Sequence, residues 1–371
     1  MSIIMRIVIS GGGSSGHINP AISVGDCIKR VEPNSEILYI GTDSKLEKEL
    51  YGKTGEKYKL YTAKGISRKK PLSNFNVLIT NLRSYKKMKA DIKEFKPDIG
   101  FSTGGYISAI AMTALRNEKK PFIIHEQNAY PGLTTRMLSK HAKKYALAFM
   151  EANKYLKNKA LAVLTGNPIR NECLTITKEK ARQKLGFSKE EKIIVCFGGS
   201  NGAGRLNEIF TELAKVNYNE QKYRLIIGTG ARYYNETIAK LNGLDLEKNK
   251  IHIKEYINNM PEILAASDLA ITRSGAMTIS ELAAMNKPSI LIPSPNVTAD
   301  HQTPNAELMA AAGGAIKINE NDLSLSLISK EIDAVINDES KLKKMSDSLE
   351  KIAVRDADMR IYRIIKDVQI S

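Results

Sequence analysis

The sequence predicts an α/β fold: two Rossmann-like, doubly wound domains facing across a cleft. Three observations point there. Short β-rich apolar runs alternate with amphipathic helical stretches along the chain, the pattern of parallel sheets wrapped by helices. The runs end in glycine-rich loops, and two of these, in VISGGGSSGH (8–17) and VCFGGSNGAG (195–204), each open one half of the chain with strand, loop and helix. A length of 371 residues gives each half enough chain for a core of its own.

In chain order, MSIIMRIVIS is too short for a signal peptide and runs directly into the first glycine loop, so it reads as the first strand. EILYIG (36–41), PDIGFSTGG (97–105) and PFIIHEQN (121–128) are strand-then-loop units of the first half. KIIVCFGGSNGAG (192–204), YRLIIGTG (223–230) and DLAITRSGAM (268–277) repeat the arrangement in the second. Asn167 and Pro168 favour a turn at the junction, so the boundaries expected are 1–165 for a first domain and 166–354 for a second. The chain beyond Asp322 reads as helical, with a last helix over 355–371 returning to the first domain.

Composition narrows the class. Three scattered cysteines, Cys27, Cys173 and Cys196, favour a reducing compartment over a disulfide scaffold and lack metal-ligand spacing. No apolar stretch approaches the ~18 residues that span a bilayer. The net charge of +16 is lopsided: residues 1–160 hold 28 Lys+Arg against 13 Asp+Glu. That half therefore faces an anionic surface, nucleic acid or membrane headgroups, unless the lysines only solubilise it. It carries no recognisable nucleic-acid-binding module. In residues 63–89, Leu72 and Phe75 directly follow Arg68, Lys69 and Lys70, and apolar tips ringed by cations suit a membrane surface. Phe75, Leu78, Ile79, Leu82 and Tyr85 also fall at helical spacing, which by default means core packing.

The strand-end loops carry the chemistry, because ligands of such sheets bind beyond the carboxyl ends of the strands. Gly11, Gly13 and Gly16 satisfy G-x-G-x-x-G, and the following helix N-terminus favours an anion. A dinucleotide cradle also wants an acidic residue about 20 residues on; Asp43 is late for that role. His17 argues instead for a phosphate site with a base built in, since an imidazole at a helix N-terminus stays neutral and can accept a proton. STGGYIS (102–108) is a second glycine turn, and HEQN (125–128) puts four polar residues at a strand end, where they bond a ligand or hold their own loop. In the second half GGSNGAGRLN is another anion cradle with Ser200 and Asn201 as donors. RSGAMTISE offers Glu281 to ribose hydroxyls or to the helix dipole, and DHQTPNAE begins a helix with sugar-contacting side chains. The DAD of residues 356–358 sits away from any strand end and reads as solvated surface, not a metal site.

GGSSGHINPA, STGGYIS, HEQN, LTGNPIR, GGSNGAGRLN, EYINNMPE, RSGAMTISELAA and DHQTPNA stand in the order and at about the spacing of one family. The chain resembles the MurG family, peripheral membrane glycosyltransferases of peptidoglycan synthesis. The resemblance implies a GT-B fold and an inverting, cofactor-free and metal-free transfer of N-acetylglucosamine from UDP-N-acetylglucosamine to the muramoyl 4-hydroxyl of lipid I, making lipid II. It implies His17 as general base. It places Gly13, Gly16, Gly104, Gly105 and Tyr106 at the acceptor diphosphate, and Ser14, Ser15, Gly16 and Asn128 towards the transferred sugar. Arg170 and Ser200 fall near the donor diphosphate, Ile257 at the uracil, Ala276, Met277 and Thr278 around the donor, Glu281 at the ribose and Gln302 at the sugar. It further implies work at the anionic cytoplasmic leaflet, held by Arg68, Lys69, Lys70, Leu72 and Phe75, beside other cell-wall synthesis proteins and without nucleic acid. Ser14-Ser15 replaces the usual threonine-glycine or alanine-glycine, Gly204 stands where arginine is common, and His301 where some members have glutamine. A diacylglycerol glycosyltransferase and an NAD(P)-dependent oxidoreductase are the alternatives.

Overall fold

The strand segments are rich in Ile, Val, Leu and Tyr on both faces, which suits parallel strands covered by helices on each side. The fold is seen in a computed structural model that describes residues 4–65, 74–199, 202–297 and 300–370. It divides into two compact units, Met1–Ile169 with Asp356–Ser371, and Arg170–Arg355.

Chain order in the first unit runs β1 (Arg6–Gly11), α1 (Ser15–Val31), β2 (Glu36–Thr42), α2 (Lys45–Gly52), β3 (Lys57–Tyr61), α3 (Asn74–Phe95), β4 (Ile99–Gly104), α4 (Tyr106–Asn117), β5 (Phe122–Glu126), α5 (Leu133–Leu138), β6 (Lys144–Leu147) and β7 (Ala162–Leu164). Its parallel sheet has the order β3-β2-β1-β4-β5-β6-β7. The order reverses between β1 and β4, whose registers pair Ile9 with Phe101 and Ser10 with Ser102. One face of the sheet packs Val8, Ile40, Met88, Ile107, Met112 and Tyr145 into a core. The other packs Ile7, Ile9, Ile18, Val24, Tyr39 and Phe101.

The second unit continues with α6 (Glu172–Thr175), α7 (Lys178–Leu185), β8 (Ile193–Phe197), α8 (Gly204–Glu220), β9 (Arg224–Gly228), α9 (Ala231–Lys240), β10 (Ile251–Lys254), α10 (Met260–Ala266), β11 (Leu269–Thr272), α11 (Ala276–Ala284), β12 (Ser289–Leu291), α12 (Gln302–Ala311), β13 (Ala315–Lys317), α13 (Leu325–Ile336) and α14 (Glu339–Glu350). Its sheet order is β10-β9-β8-β11-β12-β13, reversing between β8 and β11. Leu206, Phe210 and Leu213 of α8 and Ile328, Ile332 and Val335 of α13 seal one face.

The last helix, α15 (Ala357–Ile370), belongs to the first unit and lies on α1. Ile361 and Ile365 enter the core, Arg30 pairs with Asp358, and Glu32 accepts from Tyr362 and Lys366. Asp358 therefore fastens α15 to α1 and is more than solvated surface, whereas Asp356 is exposed and pairs with Arg360 of α15. Of the residues at helical spacing over 75–85, only Tyr85 packs against the core. Phe75, Leu78, Ile79 and Leu82 are exposed on α3, and its buried face is instead supplied by Met88, Ile92 and Phe95. Arg68, Lys69, Lys70 and Leu72 lie outside the described residues.

Helix ends are satisfied in two ways. The side chains of Ser44, Thr177, Ser324 and Asp338 cap α2, α7, α13 and α14. The helices that follow β1, β4, β8, β9 and β11 start on Ser14, Gly105, Ala203, Gly230 and Gly275 with no side-chain cap. The positive ends of their dipoles thus lie at the strand ends without a side-chain oxygen over them.

Replacing Ile361 by alanine removes a fully buried side chain from the α15–sheet core and is expected to cost about 3 kcal/mol. Urea unfolding of the variant against the parent measures the loss.

Candidate functional site

In each unit the sheet order reverses between two neighbouring strands, and the loops leaving those strands are where α/β sheets bind ligands. In the first unit they are the loops after β1 and β4. They approach so closely that most of their glycines answer to protein atoms. A Cβ on Gly11 would stand 2.1 Å from Thr103 Oγ1, and one on Gly105 2.1 Å from the Gly12 carbonyl oxygen. On Gly104, which has φ +102°, a Cβ would stand 3.0 Å from the His17 ring. Gly16 has only the Ser14 hydroxyl near it, at 3.7 Å, and Gly13, with φ +87°, only Tyr106, at 3.5 Å. The G-x-G-x-x-G spacing thus records two loops closing around a histidine.

His17, in the first turn of α1, is held by one residue at two points. Its Nδ1 lies 2.9 Å from the Thr103 carbonyl oxygen, and Thr103 Oγ1 donates to the His17 carbonyl at 2.6 Å. A carbonyl only accepts, so Nδ1 carries the hydrogen, and the basic lone pair of the neutral ring is on Nε2. The Thr103 oxygen also accepts from Gln127 Nε2 at 2.7 Å. Gln127 Nε2 lies 3.0 Å from His125 Nδ1, and His125 Nε2 reaches the Gly166 carbonyl at 3.1 Å. The Gln127 carbonyl accepts from Asn167 Nδ2 at 3.1 Å. A buried hydrogen-bonded relay therefore runs from the Gly166–Asn167 turn to the partner of His17.

The other residues of HEQN hold the loop. Glu126 is buried and accepts from the Asn128 amide, the Asn128 side chain and the Gly132 amide at 3.1, 3.2 and 3.1 Å. Asn128, half-buried, is thus oriented by Glu126. Ser14 and Ser15 are exposed at the uncapped start of α1. Tyr106 lies beside Gly13, and its phenol is pushed above its ordinary pKa by partial burial and by the carboxylates of Glu47 and Asp43. Glu47 had no sequence reading of its own; it is 1% exposed and accepts from Gly13 N at 2.9 Å.

In the second unit the loops after β8, β11 and β12 line a cavity of about 410 Å³ that includes Gly199, Gly204, Arg205, Arg273, Ser294, Gln302 and Glu320. Gly199, with φ +91°, has no atom within 4 Å of its Cβ position. By contrast a Cβ on Gly202 would stand 2.0 Å from the Thr229 carbonyl oxygen. Gln302 Oε1 accepts from Ser294 N at 2.9 Å, and its own carbonyl accepts from Ser274 Oγ at 2.8 Å. Arg273 donates to the carbonyls of Ile292 and Pro293 at 3.1 Å and pairs with Glu320. Sequence reasoning passed over Arg273 and Glu320. The arginine follows a strand and had a signal to find, whereas Glu320 lies in a segment with none. Ser200 and Asn201 lie outside the described residues.

Ala276, Met277 and Thr278 form the uncapped first turn of α11, one turn before Glu281. The carboxylate of Glu281 is clasped by Arg170, Nε to Oε1 at 2.9 Å and Nη2 to Oε2 at 3.1 Å. Two residues expected at different parts of one ligand thus form a bidentate pair with each other, and a diol reaching Glu281 must share or replace that fork. Ile257 is buried against Gly228, whose Cβ position lies 3.1 Å from it. Among the described residues no three metal-ligating side chains cluster.

Fold and loops define a two-unit α/β protein with helix starts that lack side-chain caps at both switch points and an oriented imidazole in one of them. Family models match over most of its length: the glycosyltransferase family 28 N-terminal domain over residues 7–147 and the family 28 C-terminal domain over 193–361. The chain belongs to glycosyltransferase family 28. A relative from Acetivibrio thermocellus is 39% identical over 98% of both chains, and one from Bacillus pumilus 36% identical over 98% of this chain and 99% of its own. Both are named UDP-N-acetylglucosamine--N-acetylmuramyl-(pentapeptide) pyrophosphoryl-undecaprenol N-acetylglucosamine transferase. The crystal structure of MurG from Acinetobacter baumannii shares the fold, with a TM-score of 0.77 at 20% identity over 98% of this chain and 100% of that one.

Burial holds His125 uncharged by pushing its pKa down to about 4, helped by the nearby His17 and opposed by the bond to Gly166. The unfolded chain takes up that proton near pH 6.5. Stability from this group is complete above pH 6.5 and is lost as pH falls through that value towards 4, a decline of about 3 kcal/mol. Urea titrations at pH 7 and pH 4.5 should show it in the parent and a flatter response in His125→Gln.

Proposed function

We propose that this chain moves N-acetylglucosamine from UDP-N-acetylglucosamine to the muramoyl 4-hydroxyl of lipid I, giving lipid II and UDP. The fixed tautomer of His17 at the bare start of α1 is the observation that carries the reading. The names of relatives that match over nearly the full length supply the substrates.

In this reading His17 Nε2 takes the proton of the acceptor hydroxyl as its oxygen bonds to the anomeric carbon. The bond from that carbon to the UDP oxygen breaks on the opposite side, so the configuration inverts. Charge left on the diphosphate is met by backbone amides and by the positive ends of helix dipoles at the strand ends. Thr103 keeps the accepting lone pair on Nε2 without itself gaining a proton. Gly13, Gly16, Gly104, Gly105 and Tyr106 serve the acceptor diphosphate. Ser14, Ser15 and Asn128 lie towards the sugar. In the second unit Arg170, Ser200, Ile257, Ala276, Met277, Thr278, Glu281 and Gln302 serve the donor.

The acceptor's lipid anchor asks for a membrane-facing surface. Support comes from the exposed row of Phe75, Leu78, Ile79 and Leu82 on α3, followed by Arg83, Lys86 and Lys87. No helix among the described residues is long and apolar enough to cross a membrane. We assign this face, with Arg68, Lys69, Lys70 and Leu72, to the anionic cytoplasmic leaflet.

Purified protein given UDP-N-acetylglucosamine and a lipid I analogue should form the disaccharide product; product from diacylglycerol alone would overturn the reading. His17→Ala should lower kcat by roughly 10²-fold or more with UDP affinity retained. Glu281→Ala should weaken UDP binding by roughly tenfold, read by titration calorimetry. The double variant Phe75→Asp, Leu82→Asp should lose most of its binding to anionic phospholipid vesicles while keeping UDP affinity.

A further inference from the structure

Ser44-Lys45-Leu46-Glu47 has the spacing of a capping box, in which the fourth residue's carboxylate returns to the backbone of the first. Only half of that box forms. Ser44 Oγ accepts from the Glu47 amide at 3.2 Å and caps α2. Glu47 Oε1 accepts from the Ser44 hydroxyl at 3.4 Å, and the carboxylate's other partners lie outside the box. Its Oε2 accepts from Thr42 N at 2.6 Å, and its Oε1 accepts from Thr42 Oγ1 at 2.5 Å. From there Oε1 crosses to the loop after β1 and accepts from Gly13 N at 2.9 Å, a partner 34 residues away in sequence.

The surroundings are shaped to admit this carboxylate. A Cβ on Gly41 would stand 2.4 Å from Glu47 Oε2, and one on Gly12 2.8 Å from the same atom. Two turns of chain have therefore given up side chains to let one carboxylate reach the loop backbone. Tyr51, one turn further along α2, donates its hydroxyl to the Gly11 carbonyl. Helix α2 thus grips the loop at residues 11 and 13, immediately before the α1 N-cap and His17.

We propose that Glu47 is a positioning residue for the reaction at His17, acting through the Gly13 N–H. This inference rests on the proposed function. A carboxylate repels an anion, so the contribution of Glu47 beside this loop is orientation through its hydrogen bonds rather than charge. By drawing the Gly13 amide inward it directs the following amides, at the uncapped start of α1, outward to the ligand. The same bond sets where α1 begins, and hence where the His17 ring meets Thr103.

The test compares the full chain with Glu47→Gln, whose amide puts a donor where one of the backbone N–H groups now finds an acceptor. The expected result is a fall of about tenfold or more in kcat with the lipid I analogue, read well below the variant's melting temperature, with UDP affinity close to the parent's; the buried donor lowers the melting temperature itself. A kcat equal to the parent's would overturn the proposal, and so would a kcat loss matched by loss of UDP affinity. Should Glu47→Gln fail to fold, Thr42→Val keeps the carboxylate, removes one of its donors, and is expected to lower kcat in the same direction. Hydrogen exchange at Gly13 separates the two readings. If the parent makes no product, the proposed function fails, while faster Gly13 exchange in the variant still supports the hold on the loop and unchanged exchange overturns it.

Discussion

Thr103 is the residue on which the arrangement of the first unit's strand-end loops depends. Its carbonyl accepts from the His17 ring and from Gln127, and its hydroxyl donates to the His17 backbone. Those bonds fix the tautomer, the ring position and the start of α1 together. They also require the chain at Gly11 and Gly104 to pass within contact of Thr103 and the imidazole, which no side chain there would permit. The glycine loop, the second glycine turn and HEQN are parts of one packing problem whose solution is an oriented imidazole at His17.

A division of labour among helix starts accompanies it. Four helices, α2, α7, α13 and α14, begin on Ser, Thr or Asp oxygens, each of which accepts from an amide of its own first turn. Helices leaving β1, β4, β8, β9 and β11 begin without that help, so their partial positive charge remains available at the strand ends. Stability is forgone at these termini and recovered in cores such as that of α8 and α13 on the second sheet.

Much of this was legible in the residues. Apolar strands alternating with helices specify parallel sheets, because strands such as Ile193–Phe197 are apolar on both faces and need cover on each. His17 after a glycine loop marked an imidazole at a strand end, and the structure orients that ring on the Thr103 carbonyl at a switch point of the sheet. The α3 face was less legible. Periodicity at 75, 78, 79 and 82 cannot distinguish a face turned to the core from one turned outward, because both have the same spacing. Nor did any local pattern reveal that Arg170 clasps Glu281 or that Glu320 meets Arg273, partners 111 and 47 residues apart.

By itself the sequence determined the alternating architecture, the strand-end loops and the residue types able to hold anions and move a proton. These follow from local periodicity and backbone freedom, which neighbours in the chain settle. Only the tertiary structure decided which partner each side chain takes: Glu47 bonded to Gly13 as well as to its own helix cap, the His17 hydrogen committed to Thr103, Glu281 already in the fork of Arg170. Hydrogen bonds depend on fractions of an ångström and on direction, and those are set by packing between segments far apart in sequence.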